Sequence, residues 1–251
     1  MADLAELRAV LAAAEDAARA AGQALRDGGG DFEGVERSEG RDIKLNADRA
    51  AERIIIDRLT ALVPAPILSE ETGWTAAAGD KVWVVDPLDG SANYNRDIAL
   101  CSVSIAWVEN GRPVAGVIYE FLSDRLYSGA VGLGAWLNGK PMSVADHART
   151  EDSILFTGLA INRDFSAQAL GDFAAGFARW KKVRMIGSAA TSLAYVARGA
   201  ADAYFEDSIM FWDVAAGCAL VEAAGGRFSI AGDSMDMPVC VHADNGKLWT
   251  L

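Results

Sequence analysis

The stretch Lys81-Val82-Trp83-Val84-Val85-Asp86-Pro87-Leu88-Asp89-Gly90-Ser91-Ala92-Asn93 constrains this chain more than any other. Its apolar run, three valines and a tryptophan, predicts a strand covered on both faces. Pro87 has no N–H to give to a ladder, so sheet pairing is expected to stop there. Asp86 and Asp89 are then held three residues apart at a strand's end. Carboxylates fixed in this way suit a hard divalent cation bound through oxygen. The Gly90-Ser91 pair beyond them offers backbone N–H groups and a hydroxyl, which is equipment for an anion such as phosphate.

Composition narrows the partners. With 251 residues, 51% of them hydrophobic, the chain can bury a large core. No apolar run approaches the ~18 residues of a membrane span. The N-terminus is acidic, so neither a signal peptide nor an anchor is expected, and the cytoplasm is the expected compartment. A net charge of −12 argues against direct nucleic-acid binding, which rests on Lys and Arg neutralising phosphates. It does not argue against a small anionic substrate beside a metal. Cys101, Cys218 and Cys240 stand among apolar neighbours and read as buried small hydrophobes. With only His147 and His242, and no close cysteine pair, a zinc site of the usual kind is not expected.

Leu4, Leu7, Leu11, Ala14, Ala18, Ala21 and Leu25 recur at steps of three and four, predicting an amphipathic helix over 3–27 that ends at Gly28-Gly29-Gly30. Residues 31–42 read as a mobile loop. A second helix starts near Asn46 or Asp48 and runs to Leu62, with Asp48 in its first turn as a cap or dipole partner. Ile67-Leu68 leads into Ser69-Glu70-Glu71-Thr72, a second apolar run that ends in acid. Runs over 102–108, 113–120 and 125–129, broken at Asn110-Gly111 and Ser123-Asp124, predict an antiparallel meander. The segment from Gly134 to Lys140 matches phosphate-loop spacing, but Pro141 stands where Ser or Thr is needed and Asn138-Gly139 reads as a hairpin turn.

From about Asp146 strands alternate with helices: strands over 153–158, 183–186 and 202–205, helices over 166–180 and 188–200, then a helix opened by Trp212-Asp213 and short strands at 227–230 and 239–241. The expected class is therefore α+β, in one compact unit with two halves. Residues 1–145 form a helix pair with an antiparallel sheet, and 146–251 an α/β half that supplies Asp213.

Acids at a helix start (Asp48), a strand end (Glu70), the acidic loop (Asp86, Asp89) and another helix start (Asp213) are scattered as a multi-metal site requires. Ser69-Glu70-Glu71-Thr72, Asp86 to Tyr94, and Trp212 to Gly217 with Glu222 to Gly226 behind them, in this order and spacing, resemble the inositol monophosphatase family of magnesium-dependent, lithium-sensitive phosphatases. The resemblance extends over nearly the full length. It implies a layered αβαβα sandwich, commonly dimeric. It further implies that Glu70, Asp86, Asp89, Asp213 and the carbonyl of Leu88 hold two or three magnesium ions. Gly90 and Ser91 are implied to bind phosphate, and Glu70, Ser91 and Asp48 to orient the attacking water. Ser188 and Ala189, from a weaker matching stretch, and Glu206, which resembles the family's hydroxyl-binding acid, are implied to meet the substrate.

Two departures stand out. Ser91 replaces the usual Thr, keeping the hydroxyl, and Lys44-Leu45 replaces the usual Val-Thr, adding a charge that could meet a substrate phosphate. The implied substrate is a small phosphorylated polyol such as inositol monophosphate. Relatives with the same motifs act on 3′-phosphoadenosine nucleotides, histidinol phosphate or sugar bisphosphates, and a non-catalytic regulatory protein on this fold is the alternative from another class. An aspartyl-phosphate mechanism is disfavoured because its acids would stand two apart, not three.

Overall fold

The computed structural model describes residues 3–28, 34–39 and 42–248. Helix α1 (Leu4–Asp27) opens where the Asp3 carboxylate accepts the Ala5 N–H at 2.9 Å, and stops at Gly28 with φ 60°. The predicted apolar stripe is buried, except that Leu4 is 48% exposed. Gly29 and Gly30 of the predicted stop lie outside the described residues. The loop expected over 31–42 is corrected in part: β1 (Val35–Glu39) and β2 (Asp42–Leu45) form an antiparallel ribbon, with Glu39 opposite Asp42. Ile43 and Leu45, apolar at a spacing of two, were the signal for it. Residues 31–33, 40 and 41 and the Lys44 side chain lie outside what is described.

Helix α2 (Asn46–Leu62), strands β3 (Ile67–Ser69), β4 (Gly73–Trp74) and β5 (Lys81–Asp89), and the single turn α3 (Ser91–Tyr94) carry the acidic motifs. The meander follows as β6 (Ser102–Glu109), β7 (Arg112–Glu120), β8 (Arg125–Ala130), β9 (Gly134–Leu137) and β10 (Lys140–Met142). Together they form an eight-stranded sheet in the order β10-β9-β8-β7-β6-β5-β3-β4, antiparallel except where β3 runs beside β5. Gly134 to Lys140 is a hairpin, with Asn138 at φ 49° and Gly139 at φ 75°, and not a phosphate loop.

Sheet pairing does not stop at Pro87. Asp86 faces Ser104 and Asp89 faces Ser102, so Pro87 and Leu88 stand opposite the single residue Val103. This bulge absorbs the missing N–H and lets β5 continue to Asp89, a position from which proline is not excluded.

The second sheet contains β11 (Ile154–Thr157), β12 (Lys182–Arg184), β13 (Ala203–Ile209), β14 (Arg227–Ala231) and β15 (Val239–Asp244), in the order β12-β11-β13-β15-β14. Three helices accompany it: α4 (Ala167–Ala175), α5 (Ala189–Ala197) and α6 (Phe211–Ala223). The helix expected over 166–180 tightens at Gly176 into a 3₁₀ turn, from which Phe177 and Trp180 cover the outer face of this sheet. Helices α5 and α6 pack between the two sheets, while α1 and α2 cover the far face of the larger one. The result is the expected α+β sandwich. Helix α6 is buried from Val214 to Val221, which is why its sequence is apolar all round. It lies so close to β7 that a Cβ built on Gly116 would stand 2.2 Å from the Ala216 carbonyl oxygen.

Candidate metal and phosphate site

Glu70, Asp86 and Asp213 meet where β3 ends, β5 bulges and α6 begins. β3 and β5 run parallel, so Glu70 after Ser69 and Asp86 after Val85 emerge side by side, and the Glu70 N–H donates to the Val85 carbonyl at 3.2 Å. Asp213 arrives from the other half at the first turn of α6, where its carboxylate accepts the Met210 N–H at 3.2 Å. Carboxylate oxygens of these three acids all lie within 4.8 Å of one another. Burial pushes Asp86 well above the ordinary carboxylate range, and the charges of Glu70, Asp89 and Asp213 add to it. Asp213 is raised likewise, by burial first and then by Glu70 and Asp89. An all-oxygen donor set whose members repel one another at close range fits a hard divalent cation.

Asp89 stands apart from this trio. It accepts the Ser188 hydroxyl and the N–H groups of Ala189 at 3.3 Å and Ala190 at 2.8 Å, so it caps the start of α5. Burial raises it to about 6 despite those bonds, which pull the other way. Ser188 and Ala189, expected to touch substrate, therefore also hold Asp89 in place.

Asp48 does two jobs. It is 2% exposed at the third position of α2, where Oδ2 accepts the Leu45 N–H at 2.6 Å, the capping role, and Oδ1 lies 2.9 Å from the Ser91 Oγ. The Leu88 carbonyl also lies 2.9 Å from that hydroxyl, whose single proton serves one acceptor at a time. Asp48 and Asp213 thus share a design in which one carboxylate oxygen caps its own helix. Gly90 precedes Ser91 at φ 86°, with the Leu100 carbonyl 2.9 Å from where a Cβ would stand, so both conformation and space require glycine. The amides that open α3 are among the N–H groups for which a helical turn provides no acceptor.

Glu206 is 5% exposed and accepts the Tyr204 hydroxyl at 2.6 Å. Burial raises it to about 7. It lines a cavity of about 220 Å³ together with Asp89, Thr157, Ser188, Ser192 and Asp213.

Sequence reasoning missed Glu52. Its Oε1 accepts the N–H groups of Glu71 at 3.3 Å and Thr72 at 3.1 Å, bracing the turn that carries Glu70. The signal was its place one helical turn after Asp48, on the same face of α2. Tyr204, two residues before Glu206 on one strand face, was legible in the same way.

A family model described as the inositol monophosphatase family matches residues 6–247. The chain is 40% identical over 186 residues to a protein of Xylella fastidiosa named Nus factor SuhB, covering 74% of this chain and 68% of that one. It is 38% identical over 207 residues to an inositol-1-monophosphatase of Mesorhizobium japonicum, covering 80% and 75%. The solved inositol monophosphatase of Anabaena superposes with a TM-score of 0.84 at 34% identity, over 96% of this chain and 92% of that one.

Proposed function

The chain belongs to the inositol monophosphatase family and is a phosphoric monoester hydrolase, and from that premise we propose that it hydrolyses a small phosphorylated polyol, such as inositol monophosphate, with magnesium. The convergence of Glu70, Asp86 and Asp213 within 4.8 Å carries this reading. These three would hold the ion, with Asp89 and the Leu88 carbonyl as further oxygen donors nearby. Magnesium bound there supplies a water of lowered pKa and neutralises charge on the leaving alkoxide.

The chain's own groups do the rest. Asp48 holds the Ser91 hydroxyl so that its oxygen lone pairs are directed, and this hydroxyl, with Glu70, orients the attacking water. The amides of Gly90 and Ser91 bind phosphate oxygens. Glu206, fixed by Tyr204, and Ser188 meet the hydroxyls of the alcohol. The reading extends to two or three ions per site, inhibition by lithium, a homodimer and a cytoplasmic location, all supported by family membership. Among the described residues no helix is long and apolar enough to cross a membrane. The relative named Nus factor SuhB favours a second reading, a regulatory contact with another macromolecule made by the protein surface.

Phosphate release from a panel of phosphomonoesters, with magnesium and with excess chelator, tests the proposal. Release of phosphate from inositol 1-phosphate that chelator abolishes is expected; no release from any ester would overturn the enzymatic reading and favour the regulatory one. Ser91→Ala should lower kcat about 10²-fold, in the range of a lost positioning or proton-transfer contact. Ser91→Thr should keep activity, because the hydroxyl beside Asp48 survives; equal loss in both variants would deny the hydroxyl a role. Glu206→Ala should change the ratio of kcat/KM between inositol 1-phosphate and a nucleotide phosphate by tenfold or more with the magnesium requirement intact. An unchanged ratio would reduce Glu206 to a structural acid.

A further inference from the structure

We infer that the alcohol half of the substrate is two-faced, with hydroxyls turned to Glu206 and a flat apolar group, of which an aryl ring is the simplest, seated against Ile161, Ile209, Met210 and Trp212. The inference rests on the phosphomonoesterase reading and narrows its substrate class. Two cavities meet at Ile209 and Asp213. The one of about 220 Å³ has the hydroxyl residues Thr157, Ser188 and Ser192 and the acids Asp89, Glu206 and Asp213 on its wall, beside Leu159 and Ile209. The other, of about 330 Å³, touches the acids through Glu70 and Asp213, and apart from Asn162 and Ser208 its remaining wall is apolar. The Asn162 amide there is directed at the Met210 sulfur, 3.7 Å away.

A phosphate held at the acids leaves its ester substituent next to both cavities. A polyol alone offers the apolar wall nothing to bury. Ile161 is 50% exposed on the apolar wall, beside two acids of the site. An apolar wall with a few convergent polar groups at one end is the usual construction of a small-molecule pocket.

The backbone supports a built site. Between Glu206 and Ile209, β13 carries one more residue than β15 opposite, and Ser208 stands there at φ 62°. The other non-glycine residues at positive φ among those described are Asp97, Asn110, Asp124 and Asn138, types that tolerate it through local bonds. Serine does so less readily. Bulges and strained residues of this kind gather at ligand sites, where they re-aim side chains, and here the bulge leaves Ile209 on the wall of both cavities.

The test compares kcat/KM for 2-phenylethyl phosphate and glycerol 2-phosphate, two esters of aliphatic alcohols, with magnesium. Wild type should prefer the phenylethyl ester about tenfold or more, given what burying even part of a ring is worth. Ile161→Asp and Trp212→Ala should each reduce that preference at least fivefold. A preference under twofold, or one that both variants retain, overturns the inference and leaves the phosphatase reading intact. If neither ester is hydrolysed, the phosphatase reading falls, and calorimetric titration of the same two esters judges the pocket separately. Equal Kd values overturn it; tighter binding of the phenylethyl ester, lost in Trp212→Ala, upholds it.

Discussion

Asp86→Asn is expected to lose about a thousandfold or more in kcat/KM and yet, in chelator at pH 8, to melt above the wild type. The loss follows from removing one anionic donor of the trio, since the charge a metal stabilises in the transition state is worth several kcal/mol. The gain follows from burial. Asp86 is 1% exposed and is raised well above the ordinary range by burial and by Glu70, Asp89 and Asp213, so its ionised form burdens the metal-free fold. An asparagine there can still accept the Leu88 N–H that Asp86 accepts at 3.0 Å. Asp89 is a poorer choice for this experiment, because its charge is met by Ser188, Ala189 and Ala190, where an amide would turn a donor toward donors.

The sign can be followed with pH. A carboxyl whose folded pKa lies above its unfolded one binds more protons when folded, so stability falls as pH rises between the two values. Glu206, raised to about 7, and Asp89, raised to about 6, place this fall between about pH 4 and 7 for the metal-free wild type, with Asp86 and Asp213 acting in the same direction. Asp86→Asn should show a shallower fall. Saturating magnesium should reverse the order, stabilising the wild type by about 2.7 kcal/mol at a hundredfold excess over Kd and the variant by little. Thermal melts of both proteins across pH, with chelator and with magnesium, check this. Equal magnesium shifts would remove Asp86 from the site.

Gly116→Ala should be the most damaging glycine-to-alanine substitution among the described residues, although it lies in the larger sheet and not at the acids. Its Cβ would stand 2.2 Å from the Ala216 carbonyl oxygen, and a helix backbone cannot give way as a flexible side chain can. Overpacking of this kind costs about 3 kcal/mol or more, equivalent to a fall in Tm of about 6–12 °C for a chain of this size. The same push would move α6, whose first turn delivers Asp213, so half-maximal activity should need more magnesium as stability falls. A melt within 2 °C of wild type would show that the helix and sheet are not in this contact.

The acids were legible in the sequence because each stands at the edge of an apolar pattern that its neighbours define: Val82–Val85 before Asp86, Ile67-Leu68 before Glu70, a helical stripe after Asp48 and another after Asp213. Their convergence was not a matter of local pattern. It depends on the parallel pairing of β3 with β5 and on α6 crossing between two sheets, and these long-range arrangements were reached through resemblance to a family. The β1-β2 ribbon was missed because its apolar alternation is short and interrupted by charge. The continuation of β5 past Pro87 was missed because a bulge can tolerate proline, and nothing in the local sequence announces a bulge. The second cavity was invisible for a related reason, since Ile161 and Trp212 lie 51 positions apart and meet only after folding.

The central claim is that Glu70, Asp86 and Asp213 form a divalent-metal site that drives phosphate-ester hydrolysis. A magnesium titration of phosphate release from inositol 1-phosphate, run on wild type and on Asp213→Asn, tests it most directly. Release by the wild type should rise from background to saturation while the variant stays at background throughout; superimposable curves, or full release by the wild type before any magnesium is added to chelator-treated protein, would contradict it.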